Sequence, residues 1–201
     1  MEHPSLTVPH MSENISTARF AVVDTETTGL SPDTCAILQL GIVIVRGDGV
    51  IEDQFSTYIK RRFWKPGRLG AHHVHGITRR HLRTGVPLTN ALDRLSTALS
   101  TATFVAHNAP FDLGFLRTEA TRCGHSLTIT SPICTLALSR SLDPAKTHPH
   151  NLRELATRYG ITDVPNHDAL ADAVVTARLL PLLLAKANIT TVDQLAAIAL
   201  K

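Results

Sequence analysis

The sequence predicts an α/β domain in which a mixed β-sheet is flanked by α-helices. Three strand-length apolar runs come first, and a Gly47-Asp48-Gly49 turn joins the second to the third as an antiparallel hairpin. From Leu88 onward, apolar residues recur mostly at helical spacing, and only short strand-like runs intervene. The predicted order is therefore β-β-β-α-β-α-β-α-α, with three antiparallel strands followed by parallel additions.

The predicted strands are short runs of aliphatic and aromatic residues. They are Arg19–Asp24, Ala36–Arg46, Val50–Ile59 and Thr103–Ala106, and Ile133–Leu138 is predicted to begin as a strand and continue as a helix. The helices follow from apolar spacing and from residues that start or stop a helix. They are Thr78–Arg83, the segment from Leu88, Pro110–Cys123 before Gly124, Asn151–Tyr159 before Gly160, Asp168–Lys186 with Pro181 as a kink or break, and a last short helix opened by a capping box at Thr191–Gln194.

The length of 201 residues, with 43% hydrophobic content, suits one domain with a sizeable core. We expect a disordered leader at residues 1–17, the main domain at 18–187 and a short C-terminal helix within 188–201. No apolar run reaches the roughly 20 residues of a membrane span, and the leader lacks the apolar block of a secretory signal. We therefore expect a cytoplasmic protein with no membrane partner. The three cysteines lack CxxC spacing and are expected to be reduced and buried: Cys35, Cys123 and Cys134.

Basic residues are concentrated in one segment. The formal net charge is +3, yet Gln54–Leu92 contains eight lysines and arginines and no acidic residue. Because the arginine side chain pairs well with phosphate, Arg61, Arg62 and Arg68 are predicted to contact a nucleic-acid backbone. A solvated basic face without a partner is the alternative. The histidines of His72–His75 raise the further alternative of a zinc site, although no cysteine lies nearby.

Two carboxylates lie at the end of the first predicted strand. Asp24 and Glu26 are two residues apart, and residues i and i+2 of a strand point to the same face. Two like charges held together raise each other's pKa unless a cation neutralises them, and hard oxygen ligands select Mg²⁺ or Mn²⁺. For this pair alone, a solvent-facing turn is the alternative.

Two further acids and a histidine follow later in the chain. Asp112 falls in the first turn of a predicted helix, where the helix dipole by itself would account for it. Asp172 falls among small and apolar residues, where a lone carboxylate needs a partner. His167, five positions earlier, would not share the helical face of Asp172. If it lies instead in the turn after Pro165, it can approach the acids from outside and accept a proton.

Together these residues predict a chemistry that none of them predicts alone. Four carboxylates and one histidine are the set required for two-metal hydrolysis of a phosphodiester, in which cations about 4 Å apart stabilise the attacking and leaving oxygens. The histidine would remove the proton of the attacking water. The predicted catalytic set is thus His167 as general base with the metal ligands Asp24, Glu26, Asp112 and Asp172, and the cofactors are two divalent cations, Mg²⁺ or Mn²⁺.

Three segments resemble the exonuclease motifs of the DEDDh family: FAVVDTETTGL, FVAHNAPFDLGFL and NHDALADA. That family includes the proofreading epsilon subunit of bacterial DNA polymerase III and RNase T-like enzymes. The resemblance covers about Arg19 to Leu184 and includes the His75-Gly76-Ile77-Thr78 box. It implies a ribonuclease H-like fold, 3′→5′ removal of nucleoside 5′-monophosphates, and an exonuclease domain at residues 18–187.

The resemblance also implies contacts with the substrate. The backbone around Thr27 would meet the terminal 3′-hydroxyl, and Leu30 would wedge against the terminal base. His75 would lie near the nucleotide. The second motif would be shaped by His107, Asn108 and Phe111.

Substrate and partners stay open at this point. The expected ligand is the 3′ end of a single-stranded nucleic acid, with DNA favoured over RNA, and RNA trimming or a non-catalytic accessory module on the same fold are the alternatives. A DNA polymerase partner is possible, but epsilon-type relatives hold it through a longer tail than Ile189–Lys201. Leu179–Leu184 is either a core helix or a dimer face, so a homodimer is also possible.

Overall fold

Five strands form one mixed sheet in the computed structural model, which describes residues 13–61, 69–70 and 72–199. The strands are β1 (Arg19–Thr27), β2 (Ile37–Arg46), β3 (Ile51–Tyr58), β4 (Thr103–Ala106) and β5 (Ile133–Cys134), in the spatial order β3-β2-β1-β4-β5. Strands β1, β2 and β3 pair antiparallel, whereas β4 and β5 run parallel to β1. The predicted fold class, with antiparallel strands first and parallel strands added, is confirmed.

Eight helices surround this sheet in the described part of the chain. They are α1 (His72–His75), α2 (Arg79–Thr84), α3 (Leu88–Leu99), α4 (Ala109–Arg122), α5 (Thr135–Ser141), α6 (Leu152–Arg158), α7 (Ala169–Lys186) and α8 (Val192–Ala199). None of them is long and apolar enough to cross a membrane. The predicted capping box is present, since Thr191 Oγ1 accepts from the Gln194 N–H and Gln194 Oε1 accepts from the Thr191 N–H.

Strand alternation divides the core into two layers. Phe20 and Val22 of β1 pack with α7 on one face, whereas Ala21 and Val23 pack with α3 and α4 on the other. The sheet is therefore covered by helices on both sides, as expected for strands whose two faces are apolar. This alternation continues to the end of β1 and sets the direction of each polar side chain there.

Helix α7 is continuous through Pro181, so of the kink or break predicted at this residue, the break is wrong. A proline inside a helix costs about 3 kcal/mol. Around it, Leu179, Leu180, Leu183 and Leu184 are all buried in the core of the same chain. Each buried leucine contributes about 1.5–3 kcal/mol, so packing outweighs the cost of the proline. These leucines form a core helix rather than a dimer face.

Two further expectations differ from the structure. Part of the predicted disordered leader is ordered: Ile15 is buried in the core, and its N–H donates to the Thr190 carbonyl at 2.9 Å. A bridge between Asn14 and Thr191 adds to this contact. Pattern analysis missed it because the partner lies at the other end of the chain. The three cysteines are free as expected, but none of them is buried: Cys35 and Cys134 are half-buried, and Cys123 at the end of α4 is exposed.

Candidate active site

A cleft of about 300 Å³ lies where β1 and β4 end. Parallel strands carry their loops at the same sheet edge, so the residues after β1 and β4 meet here. Within the described residues, the cleft is lined by predicted site residues from every motif: Asp24, Glu26, Thr27, Leu30, His75, His107, Phe111, Asp112, His167 and Asp172. Gly29, Thr25 and Val74 complete its lining.

Asp24 and Glu26 continue the face of β1 that carries Phe20 and Val22, which is the face covered by α7. Their carboxylates therefore point toward the helix that bears Asp172. Burial raises the pKa of Asp24 well above its ordinary value, and the charges of Asp112, Asp172 and Glu26 raise it further. Burial, followed by the charges of Asp172, Asp168 and Asp112, raises the pKa of Glu26 from 4.5 to about 8. The metal-free site therefore disfavours full ionisation.

Asp112 reaches the cleft from the opposite face of the sheet. Thr25 points toward α4, and its hydroxyl donates to Asp112 Oδ1 at 2.7 Å. Helix α4 begins after Asn108, whose left-handed backbone, with φ of 68°, turns the chain sharply from β4 into the helix. Asp112 is only 3% exposed, and burial raises its pKa to about 7 against the lowering effect of the Thr25 hydrogen bond.

Asp172 is brought over the sheet by the close approach of α7 to β2. A Cβ atom on Gly41 would lie 2.3 Å from the Ala169 carbonyl oxygen, so only glycine permits this approach. Gly41 is the pairing partner of Asp24, and Asp172 lies one turn into α7 from this contact. The Asn166 N–H donates to Asp172 Oδ1 at 3.0 Å, but burial still raises the pKa of Asp172.

His167 lies in the turn after Pro165, as predicted, and is exposed at the mouth of the cleft. Its backbone is left-handed, with φ of 59°, which aims the ring back toward the acids rather than along α7. Ligand atoms of Glu26, His167 and Asp172 all lie within 4.8 Å of one another. Carboxylates with raised pKa values, converging on one point, are the donor set that a divalent cation requires. The site thus fits the metals predicted for it.

Two residues that the motif analysis left without a role, Gln39 and Asp168, anchor this arrangement. Asp168 caps α7 by accepting from the Leu170 and Ala171 N–H groups. Gln39, buried on β2 beside Glu26, donates to Asp168 and accepts from the Ala169 N–H at 3.4 Å. A lone glutamine in an apolar strand was the only signal for this contact in the sequence.

A family model described as Exonuclease (RNase_T) matches residues 21–180, which include every acid described above and His167. The chain belongs to this exonuclease family. Among curated relatives, a DNA polymerase III PolC-type protein of Streptococcus suis is 32% identical over 90% of this chain and 12% of its own length. A DNA polymerase III subunit epsilon-like protein of Rhodobacter capsulatus is 36% identical over 83% of this chain and 24% of its own length. The chain thus spans a quarter or less of these relatives.

Solved structures of exonucleases share the fold. Exonuclease X in complex with 5′ overhanging duplex DNA is 25% identical, with a TM-score of 0.67 over 91% of this chain and 99% of that chain. The nuclease domain of 3′hExo, a DEDDh family member bound to rAMP, is 15% identical, with a TM-score of 0.68 over 86% and 94% of the two chains. The resemblance to DEDDh exonucleases is confirmed.

Two histidines of this exonuclease domain are held by hydrogen bonds on the cleft wall. His75 Nδ1 accepts from the Ile77 N–H at 3.0 Å, which leaves Nε2 to donate to the Leu69 carbonyl at 3.2 Å. Burial lowers its pKa. His107 contacts Thr135 Oγ1 through Nδ1 at 3.0 Å, and burial lowers its pKa to about 4. Both rings are therefore neutral near pH 7 and serve as fixed walls.

Leu30 and Thr27, two of the remaining predicted contacts, line the cleft, whereas Asn108 does not. Leu30 is 85% exposed at the cleft rim, so its side chain is available to a base, and Thr27 is buried with its hydroxyl donating to the Gly29 carbonyl at 2.7 Å. Asn108 is exposed and faces a neighbouring cavity instead. Among the described residues, the group that could hold a metal ion is Glu26, His167 and Asp172. The histidines of α1 are not part of it, so the alternative of a zinc site there has no support in the described residues.

The exonuclease domain uses Arg61 differently from the prediction. Its guanidinium pairs with Glu119, a residue of α4 that is 3% exposed, and its Nε donates to the Ile37 carbonyl at 3.2 Å. A guanidinium so engaged inside the fold is poorly placed to contact a phosphate. The ion pair was missed because its partners are 58 residues apart in sequence. Arg62 and Arg68 lie outside the described residues.

Proposed function

We propose that the chain is a 3′→5′ exonuclease that releases nucleoside 5′-monophosphates from the 3′ end of a single-stranded nucleic acid, DNA being favoured. Two divalent cations, Mg²⁺ or Mn²⁺, would be held by Asp24, Glu26, Asp112 and Asp172. The observation that carries this proposal is the convergence of these four carboxylates with His167 in one cleft. Burial raises the pKa of all four, and the charges of neighbouring acids raise those of Asp24 and Glu26 further.

The four carboxylates approach the proposed metal site from two faces of the sheet. Glu26 and Asp172 share the neighbourhood of His167, whereas Asp112 is oriented by Thr25 from the opposite face of the sheet. Asp24 is close to both groups, since the charges of Asp112, Asp172 and Glu26 all raise its pKa. When bound, the cations supply charge stabilisation for the attacking and leaving oxygens of the phosphodiester.

His167 would take the proton of the attacking water. It is exposed at the cleft mouth, its left-handed backbone aims the ring at the acids, and the carboxylate of Asp172 lies within 4.8 Å. Histidine is the side chain that most often serves as a general base in enzymes. The same proximity is compatible with a role as a metal ligand, and metal binding by a variant without the imidazole separates the two roles.

The preference for DNA rests on the relatives. The curated proteins at 32–36% identity are named as DNA polymerase III proteins, and Exonuclease X, at 25% identity, was solved with DNA. The rAMP-bound 3′hExo is more distant at 15% identity and supports the fold alone. The names of the polymerase relatives also support association with a DNA polymerase, which co-purification with such a subunit would test.

The direct test is digestion of matched 5′-labelled single strands, one DNA and one RNA, in Mg²⁺, Mn²⁺ or EDTA. A ladder that shrinks from the 3′ end only with metal, and that disappears when the 3′ end is blocked, is expected. Asp24→Asn and Asp172→Asn should abolish it, whereas Asp93→Asn, an exposed acid on α3, should not. Binding without any metal-dependent cleavage would instead indicate an accessory module, and faster degradation of RNA would indicate RNA trimming.

A further inference from the structure

A second cavity, of about 770 Å³, adjoins the catalytic cleft and shares His107 with it. Its polar and charged lining includes Asn108, Arg140, Lys146, His148 and Asn151, and Leu136 and Leu152 provide apolar surface. Of the proposed substrate contacts, only His107 and Asn108 reach it. A cavity with apolar surface and cations at its edge can take a base together with its phosphate.

The sheet order places this cavity on one side of the metal site. Strand β1 carries Asp24 and Glu26, β4 leads to His107, and β5 leads into α5 with Leu136 and Arg140. The proposed contacts of the 3′-terminal nucleotide, around Thr27, Leu30 and His75, lie on the β1 side. A strand whose last nucleotide occupies that side and whose scissile phosphate meets the acids continues toward β4 and β5.

The charges of the cavity favour a phosphodiester. Arg140 and Lys146 are exposed, and neither has an ion-pair partner among the described residues. Asp143 is the one carboxylate in the lining that the structure describes, and it is turned into its own loop. Its Oδ1 accepts from the Thr147 N–H at 3.1 Å, and its Oδ2 accepts from the His148 N–H at 3.0 Å. The positive charges of Arg140 and Lys146 therefore line the cavity with no unengaged carboxylate among its described residues to pair with them.

The same loop is held in shape from beneath. His150 is largely buried, with Nδ1 3.1 Å from Ser139 Oγ and Nε2 3.3 Å from Asp143 Oδ2. These contacts join the loop to α5, so the two sides of the cavity are fixed relative to each other. A preformed wall of this kind lowers the entropic cost of binding a flexible strand.

We propose that this cavity binds the nucleotides immediately 5′ of the scissile phosphodiester, with Arg140 and Lys146 contacting their backbone phosphates. The proposal rests on the function proposed above. It implies that the nucleic-acid strand leaves the metal site over β4 and β5. It also gives the enzyme a substrate-binding site that is separate from the residues that carry out hydrolysis.

The test compares two substrates: a single-stranded DNA 12-mer and the p-nitrophenyl ester of thymidine 5′-monophosphate, which has no upstream nucleotide. The variant combines Arg140→Gln with Lys146→Asn, because asparagine tolerates the left-handed backbone of residue 146, with φ of 53°. We expect KM for the 12-mer to rise about tenfold or more and the ester kinetics to stay unchanged. The salt slope of 12-mer binding should fall by about 1.4, or 0.7 for each phosphate that the variant no longer neutralises.

Arg117→Gln is the matched control, since Arg117 is also exposed but lies on α4 outside the cavity lining. Equal impairment on both substrates, or no impairment on the 12-mer, would overturn the proposal. If the unaltered protein cleaves neither substrate, the proposed function fails instead. Anisotropy of a labelled 12-mer with Ca²⁺ in place of Mg²⁺ then still tests the cavity, because an unchanged affinity in the double variant would exclude it.

Discussion

The side-chain amide of Gln39 donates a hydrogen bond of 2.8 Å to Asp168 Oδ2, joining β2 to the start of α7. Gln39 pairs with Glu26 across the two strands, and Asp168 is followed four residues later by Asp172. One buried amide therefore connects the strand-borne and helix-borne halves of the metal site. The side-chain oxygen of Gln39, Oε1, accepts from the Ala169 N–H. A single side chain therefore holds both the capping residue Asp168 and the first residue of α7.

Gln39→Ala is expected to reduce kcat by about 10–100-fold with little change in KM, because misplacing a catalytic group by about 1 Å is that costly. The half-saturating Mn²⁺ concentration should also rise. Steady-state kinetics at several metal concentrations measure both. Ser56→Ala removes another partner of the same amide, 3.2 Å away, and serves as the control. Equal effects of the two substitutions would mean that Gln39 acts only through general stability.

The stability of the metal-free protein should fall as pH rises from about 4.5 to 8. All four carboxylates have raised pKa values, with Glu26 raised from 4.5 to about 8 and Asp112 from 3.8 to about 7. They outnumber His75 and His107, whose lowered pKa values act in the opposite sense below about pH 6.5, so the folded state holds more protons than the unfolded state in this window. The free energy of unfolding must then decrease with pH. Thermal unfolding in EDTA across this range measures it. Excess Mg²⁺ should remove most of the decline, and a melting temperature independent of pH in EDTA would contradict the electrostatic account.

His167→Ala should lower kcat by about 10²–10⁴-fold, the usual contribution of a general base. Affinity for Mn²⁺, measured by titration calorimetry, should stay within a few-fold of the unaltered protein, because the four carboxylates remain. His73→Ala, an exposed histidine on α1, is the control. A large drop in Mn²⁺ affinity would instead make His167 a metal ligand, which its position within 4.8 Å of Glu26 and Asp172 allows.

Glu119→Gln should destabilise the fold by about 3 kcal/mol, since removing one member of a buried ion pair leaves the charge of Arg61 uncompensated. Chemical denaturation measures the change. Arg61→Gln should leave the salt slope of DNA binding unaltered, because its guanidinium is engaged by Glu119 rather than by phosphate. A slope reduced by about 0.7 would restore Arg61 to the residues that contact nucleic acid.

The sequence predicted the parts of this molecule that depend on local pattern. Asp24 and Glu26 share a face because they are two residues apart on a strand, and His167 lies outside α7 because Pro165 precedes it. What the sequence could not predict are contacts between distant segments. The pairing of Arg61 with Glu119 depends on which helix packs against which strand end. The role of Gln39 depends on a cap that exists only after α7 has docked, and neither leaves a periodic signal.

Gly41→Ala is expected to impair both stability and catalysis, because the new Cβ would lie 2.3 Å from the Ala169 carbonyl oxygen and 2.7 Å from the Leu170 nitrogen. Backbone atoms cannot yield as a flexible side chain can, so α7 must shift away from β2 and carry Asp172 with it. Differential scanning calorimetry and the 12-mer assay measure the two effects. Gly114→Ala is the control, since its nearest neighbour is Pro32 Cγ at 3.5 Å and alanine favours a helix by up to about 1 kcal/mol. A Gly41→Ala variant with normal stability and activity would show that α7 does not need this close approach to position Asp172.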